Sequence, residues 1–209
     1  MLYSDIKKFI FIAIDKTGST SIEAVLRPYS LQHTHFKQLR KRLRILKPVS
    51  RKLNIHRRLV YPVHASARSL KPYFPKTTWD EYFKFCFVRN PLDRITSRFE
   101  FLRKERRLPS HIQFDSYLNS ILSGKRPFFH QHQYIIDKQS QIMVDWWGKL
   151  ETIEIDCRFL EEKLGIPRLT PRRLNTSKAN RRPFLDYYSG SQKRLTEEFV
   201  RRDLDLFNY

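Results

Sequence analysis

Apolar residues crowd together near the start of the chain. From Lys7 to Ile14 the sequence runs Lys-Lys-Phe-Ile-Phe-Ile-Ala-Ile, a β-branched and aromatic run with little polar alternation, which predicts a strand buried on both faces. Asp15 to Thr20 supplies turn chemistry, and residues 20–26 set Ile22, Val25 and Leu26 on one side of a helix. Strand, tight polar turn and helix together open an α/β domain. The pattern recurs at residues 83–88, Phe-Lys-Phe-Cys-Phe-Val, which predict a second strand. In the helix expected after it, Asn90 suits the N-cap and Pro91 the first turn, and Ile95, Phe99 and Leu102 form an inward stripe.

Elsewhere the periodicity is weaker. Residues 28–58 read as a basic surface excursion with a helical piece at 36–46. A short strand is expected at 59–63, a helix at 65–73 and another short strand at 143–147. Further helices are predicted at 114–122, 151–164 and 191–206. No repeat, low-complexity tract or linker divides the 209 residues, so the expectation is one α/β domain covering 1–209.

Composition narrows the class. Hydrophobic residues at 40% and aromatics at 14% exclude a disordered chain. Lys and Arg number 41 against 21 Asp and Glu, a formal charge of +20. The excess is concentrated: from Ala24 to Trp79 there are fourteen basic residues and no acidic one. Such a field gathers anions: nucleic acid, an acidic membrane surface, a phosphorylated cofactor or an acidic glycan. Charge alone does not choose among them. The two cysteines, Cys86 and Cys157, read as buried thiols and cannot build a metal site with conventional spacing. The apolar run at 9–14 is far too short to span a bilayer, and neither its flanks nor a cleavage site suit a signal peptide. The expectation is a cytoplasmic enzyme, or the soluble catalytic domain of a membrane-anchored parent.

Two segments carry chemistry. Lys16-Thr17-Gly18-Ser19-Thr20-Ser21 lies where a strand passes into a helix. Unpaired N–H groups and the positive dipole end there suit an anion. Gly18 lets the backbone come close, the hydroxyls add donors and Lys16 adds a charge. It is not a Walker A loop, because Lys16 precedes Gly18 and no earlier glycine is present. An ordinary polar turn is the competing reading. The second segment is Phe87-Val88-Arg89-Asn90-Pro91-Leu92-Asp93-Arg94-Ile95-Thr96-Ser97. Arg89 at a strand end and Ser97 two helical turns on could meet on one phosphate. The competing reading is a structural ion pair of Arg89 with Asp93 or Asp80.

Together the two segments resemble the cofactor signatures of the sulfotransferases that use 3′-phosphoadenosine 5′-phosphosulfate (PAPS), in the branch of Golgi-type carbohydrate sulfotransferases and their bacterial relatives. In that family a loop like P-K-T-G-T-T-S holds the 5′-phosphosulfate. A segment like V-R-N-P-x-D-R-x-x-S holds the 3′-phosphate through its Arg and Ser. Here Asp15 stands where proline is usual, and a carboxylate so placed would repel the phosphosulfate unless it points away or pairs with an arginine. Val144-Asp145-Trp146-Trp147-Gly148-Lys149-Leu150-Glu151, Leu174-Asn175-Thr176-Ser177, Tyr187-Tyr188 and Asp203 to Tyr209 extend the resemblance over most of the chain, least between 28 and 58.

The resemblance implies a three-layer, P-loop-like α/β fold with a mainly parallel sheet, and PAPS as sulfuryl donor without a metal. The acceptor would be a carbohydrate hydroxyl. Lys16, Thr17, Gly18, Ser19, Thr20, Ser21, Arg89 and Ser97 would bind the cofactor. Lys16 would also act in catalysis, with His64 as the base, since relatives carry their proposed base between the two motifs; Glu23 is the alternative. His130 and His132, an i, i+2 pair, could ligate a metal, but no carboxylate or cysteine partner is evident, which favours a loop or acceptor-site role. The basic 28–58 stretch could line an acceptor groove for an acidic polysaccharide. A nucleic-acid-binding protein lacks any recognisable module here, and a small-molecule kinase lacks the Walker A loop.

Overall fold

In a computed structural model of the chain, the described residues are 1–30, 64–167, 169–170 and 182–209. Nearly all of the basic stretch 28–58, the strand expected at 59–63 and the Leu174-Asn175-Thr176-Ser177 segment lie outside them. Four strands, β1 (Leu2–Ser4), β2 (Phe9–Ile12), β3 (Phe83–Val88) and β4 (Trp146–Lys149), form one sheet in the order β1-β2-β3-β4. β2, β3 and β4 are parallel, and β1 runs antiparallel along β2. Phe9 pairs with Phe83, and Phe85 with Trp146. The sheet is therefore mainly parallel, as expected.

The helices among the described residues are α1 (Ser19–Leu26), α2 (Ala67–Leu70), α3 (Lys76–Glu81), α4 (Pro91–Lys104), α5 (Phe114–Leu122), α6 (His132–Ile135), α7 (Ile153–Leu164), α8 (Gly190–Phe199) and α9 (Arg201–Phe207). Strand side chains alternate between faces. Phe9, Phe11, Phe85 and Phe87 pack on α1 and α7 through Ile22, Leu26, Cys157 and Leu160. Ile10, Ile12, Cys86 and Val88 pack on the opposite face against Leu70, Trp79, Ile135 and Phe207. Both faces are covered, which gives three layers and explains the uninterrupted apolar strands. Each phenylalanine so buried contributes about 1.5–3 kcal/mol. A third cluster, around Ile95, Phe99, Phe114 and Tyr117, joins α4 to α5.

Several boundaries differ from expectation. The first strand is shorter than 7–14, because the chain turns before Phe9 with Lys8 at φ 47°. β1 is too short to leave a period. The strand expected at 143–147 begins at Trp146, since Asp145 instead ties itself to Lys84: its N–H donates to Lys84 O at 2.7 Å and its carboxylate accepts from Lys84 N at 2.7 Å. The helix expected at 65–73 is α2 followed by a 3₁₀ turn at Lys71–Tyr73, where Pro72 withholds an N–H. The one expected at 191–206 breaks at buried Val200 into α8 and α9. Cys86 and Cys157 are both buried free thiols, and burial pushes both pKa values up, which makes them unreactive.

Candidate active site

Beyond β2 the chain enters the Lys16–Ser21 turn with two residues in the left-handed region, Lys16 at φ 64° and Gly18 at φ 76°. Gly18 is required twice over. Its backbone favours glycine, and a Cβ there would lie 2.6 Å from Leu150 Cδ1. Thr17 is fully buried, and its hydroxyl donates to Ile14 O at 3.0 Å, so it holds the turn from inside. Gly18 caps α1 without a side-chain bond, and its carbonyl accepts from the N–H groups of Ser21 and Ile22. Ser19 is buried, Thr20 exposed and Ser21 half-buried at the start of this helix. The helix end is left with a positive dipole and donor N–H groups at its mouth.

The second segment meets this turn. Asn90 caps α4 by accepting from Leu92 N and Asp93 N, and Pro91 takes the first position, as the sequence predicted. Arg89, only 7% exposed, donates from Nε and Nη2 to Asp93 Oδ2 at 2.8 and 2.6 Å. The ion pair left open at the sequence level is formed with Asp93, while Asp80 pairs with Lys76. The remaining edge of the guanidinium reaches the first turn, with Nη1 3.4 Å from Lys16 O. Ser97, half-buried, stands one helical turn beyond Asp93, and Phe101 one turn further. The Lys16 ammonium lies 4.0 Å from the centre of the Phe101 ring. Lys16 thus touches both Arg89 and the α4 face that carries Ser97.

Asp15, the departure from the family pattern, is taken up by arginines. Its carboxylate accepts from Arg94 Nη2, and from Arg98 Nη1 at 2.6 Å; its carbonyl accepts from Arg94 Nε at 2.9 Å. Burial pulls the Asp15 carboxyl upward, but the charges of Arg94 and Arg98 outweigh it and hold the pKa below the usual aspartate value. His64 sits alongside, its Nδ1 3.0 Å from Ala13 O. A carbonyl only accepts, so Nδ1 carries a proton, and in the neutral ring it is Nε2 that presents a lone pair. Glu23 instead faces the Met1 amino group, with Oε1 at 2.8 Å. His64 and the Lys16 turn therefore share one end of β2, whereas Glu23 is engaged elsewhere.

Several contacts of this region give no sequence signal. Gln131 bonds both backbone groups of Arg89, Glu151 Oε1 accepts from Asn90 N at 2.8 Å, and Tyr134 donates to Asp15 Oδ1 at 3.3 Å. The reading of His130 and His132 as lacking a carboxylate partner is corrected: Asp203, far along the chain, brings its carboxylate within 2.6 Å of His132 Nδ1. His130, His132 and Asp203 have ligand-type atoms within 4.8 Å of one another. The Asp203 oxygens, however, already accept from two backbone N–H groups as well as from the His132 ring.

Comparison with known proteins follows the same line. The family model described as Sulfotransferase family matches residues 1–209. An uncharacterized protein of Archaeoglobus fulgidus is 26% identical over 102 residues, covering 49% of this chain and 83% of its own. The crystal structure of mouse sulfotransferase SULT7A1 complexed with PAP superposes with a TM-score of 0.59 at 14% identity, covering 97% of this chain and 86% of that one. Among the described residues, no helix is long and apolar enough to cross a membrane.

Proposed function

Since the chain belongs to the sulfotransferase family, we propose that it moves the sulfuryl group of PAPS to a hydroxyl of a carbohydrate acceptor that carries acidic groups. The observation that carries the reading is the meeting of the two anion-binding segments: Arg89 Nη1 reaches Lys16 O, which joins a helix-capping glycine turn to an arginine at the next strand's end. A nucleotide with phosphates on both its 5′ and 3′ sides suits two such segments. SULT7A1, similar in fold, is complexed with PAP.

In this reading Lys16, Gly18 and the Thr17, Ser19, Thr20 and Ser21 turn hold the 5′ side, and Arg89 with Ser97 holds the 3′-phosphate. Asp93 fixes one edge of Arg89, which aims the other. PAPS supplies the activated sulfuryl group. His64 Nε2 accepts the proton of the attacking hydroxyl, its tautomer held by Ala13 O. Lys16 and the α1 N–H groups offset charge that builds on the departing phosphate. An acidic acceptor is favoured because Arg94 and Arg98 share the single carboxylate of Asp15, so a net positive charge stands beside His64.

Adenosine 3′,5′-bisphosphate at about 100-fold over its Kd should stabilise the protein by roughly 2.7 kcal/mol. Adenosine 5′-monophosphate should do far less at the same concentration. Equal thermal shifts from the two ligands would overturn the roles of Arg89 and Ser97. Incubation with PAPS and a panel of neutral and acidic glycans, read by mass spectrometry, tests the acceptor. Sulfation confined to neutral glycans would overturn the acidic assignment.

A further inference from the structure

Arg89 stands one residue past the end of β3, where strand pairing stops. The last bond of the ladder runs from Leu150 N to Val88 O at 2.8 Å. Beyond it, a side chain takes the place of a neighbouring strand. Gln131 Oε1 accepts from Arg89 N at 2.9 Å, and Gln131 Nε2 donates to Arg89 O at 2.8 Å. A primary amide offers the same donor and acceptor pair as a peptide group, so this one glutamine extends the sheet by a single rung. It is completely buried, and such a bond pair fixes the backbone from which the arginine departs.

Gln131 is itself held from a distant part of the chain. Its N–H donates to Asp203 Oδ2 at 2.8 Å, and Asp203 Oδ1 accepts from His132 N at 2.9 Å and from the His132 ring at 2.6 Å. Asp203 lies on α9 and is completely buried. Burial opposes its charge, but the bonds from His132 and Gln131 outweigh that and keep it ionised. The same short stretch also reaches the first turn: Phe129 O accepts from Arg94 Nη1 at 2.7 Å, and the Tyr134 hydroxyl reaches Asp15.

We infer that Gln131, seated by Asp203, is a positioning residue that sets the affinity of Arg89 for the 3′-phosphate of the nucleotide. A stray core glutamine would bond wherever a partner lay. This one places both ends of its amide on the two backbone groups of Arg89, the cation assigned to that phosphate together with Ser97. The inference rests on that assignment of Arg89.

The test compares the full chain with Gln131→Met and Gln131→Glu by calorimetric titration with adenosine 3′,5′-bisphosphate and adenosine 5′-monophosphate. Gln131→Met removes both bonds. Gln131→Glu keeps the acceptor for Arg89 N and loses the donor to Arg89 O, so it carries the test alone if the methionine variant does not fold. Bisphosphate affinity should fall in both Gln131→Met and Gln131→Glu, by about 10- to 100-fold, the loss known at metal sites when an outer-shell partner of a ligand is removed. Monophosphate affinity should change by less than about threefold, since that ligand has no group for Arg89 to hold. Asp203→Asn, which weakens the seat, should shift the ratio in the same direction. If the variants lose both ligands in proportion, or keep the parent's ratio, Gln131 is only a core residue and the inference fails. A parent chain that does not distinguish the two nucleotides instead removes the Arg89 assignment, and this inference with it.

Discussion

Replacing Asp15 by Asn removes the charge around which the turn is built and leaves its shape. In the folded protein Arg94 is 1% exposed, and its guanidinium has three anchors: the Asp15 carboxylate, Asp15 O and Phe129 O. Only the first neutralises it. Taking away one partner of a buried pair generally costs about 3–5 kcal/mol, because the other charge stays buried without compensation. Here both carbonyl bonds survive and Arg98, about a third exposed, can turn to water. The low end, about 3 kcal/mol, is therefore expected. For a chain of this size that lowers Tm by about 6–12 °C, measured by calorimetry near neutral pH.

The pH dependence has a definite sign. Because the folded pKa of Asp15 is depressed, its contribution is complete above the unfolded aspartate value of about 3.9 and fades as pH falls through the lower folded value. Parent and Asp15→Asn should thus converge only in strong acid. Adding Arg94→Met to Asp15→Asn should recover about 1–3 kcal/mol relative to additivity. A single variant within about 0.5 kcal/mol of the parent, the ordinary range for surface substitutions, would refute the account of Asp15 as the countercharge of two arginines.

Three further outcomes follow from the site. Lys16→Ala should lower kcat by about 10²–10³-fold, while its lost contact with Phe101 changes stability by only about 1 kcal/mol; unchanged turnover would take Lys16 out of the mechanism. His64→Ala should lose about 10²–10⁴-fold in turnover and keep its nucleotide affinity. If it stays active while Glu23→Gln does not, the base is Glu23. In the basic stretch, joint replacement of Arg40, Lys41, Arg42 and Arg44 by Gln should raise KM for an acidic polysaccharide, with the difference shrinking in high salt. Equal handling of acidic and neutral acceptors by variant and parent would mark the stretch as surface only.

The layered α/β core could be read from the chain because its signals are local. Two apolar runs buried on both faces, each followed by a turn and a helix, gave β2, β3, α1 and α4 their order. The Asn90-Pro91 cap set the start of α4 to the residue. The Lys16–Ser21 turn was legible for the same reason, since Lys16, Gly18 and the hydroxyls are contiguous. What escaped was everything made by distant parts of the chain. Gln131 and Tyr134 stand in a stretch whose pattern says only that a loop or helix is present, and the Asp203–Tyr209 segment, though it extends the resemblance, does not tell that Asp203 meets His132. Their partners, Arg89, Asp15 and His132, are assigned by tertiary packing. The break at Val200 was hidden too, since apolar spacing continues across it.

The parallel pairing also bears on how fast the protein acquires its site. Phe9 meets Phe83, and Phe85 meets Trp146, across long stretches of intervening chain. Loop closure must be met before either contact repays it, and topologies dominated by such contacts cross their folding barrier slowly. The Lys16 turn and the Arg89 segment sit at the ends of two strands joined in this way, so neither can be assembled by a local nucleus. Nucleotide capture during refolding should lag the appearance of helical signal and coincide with the last rise in tryptophan fluorescence, as Trp146 and Trp147 on β4 reach their places in the sheet.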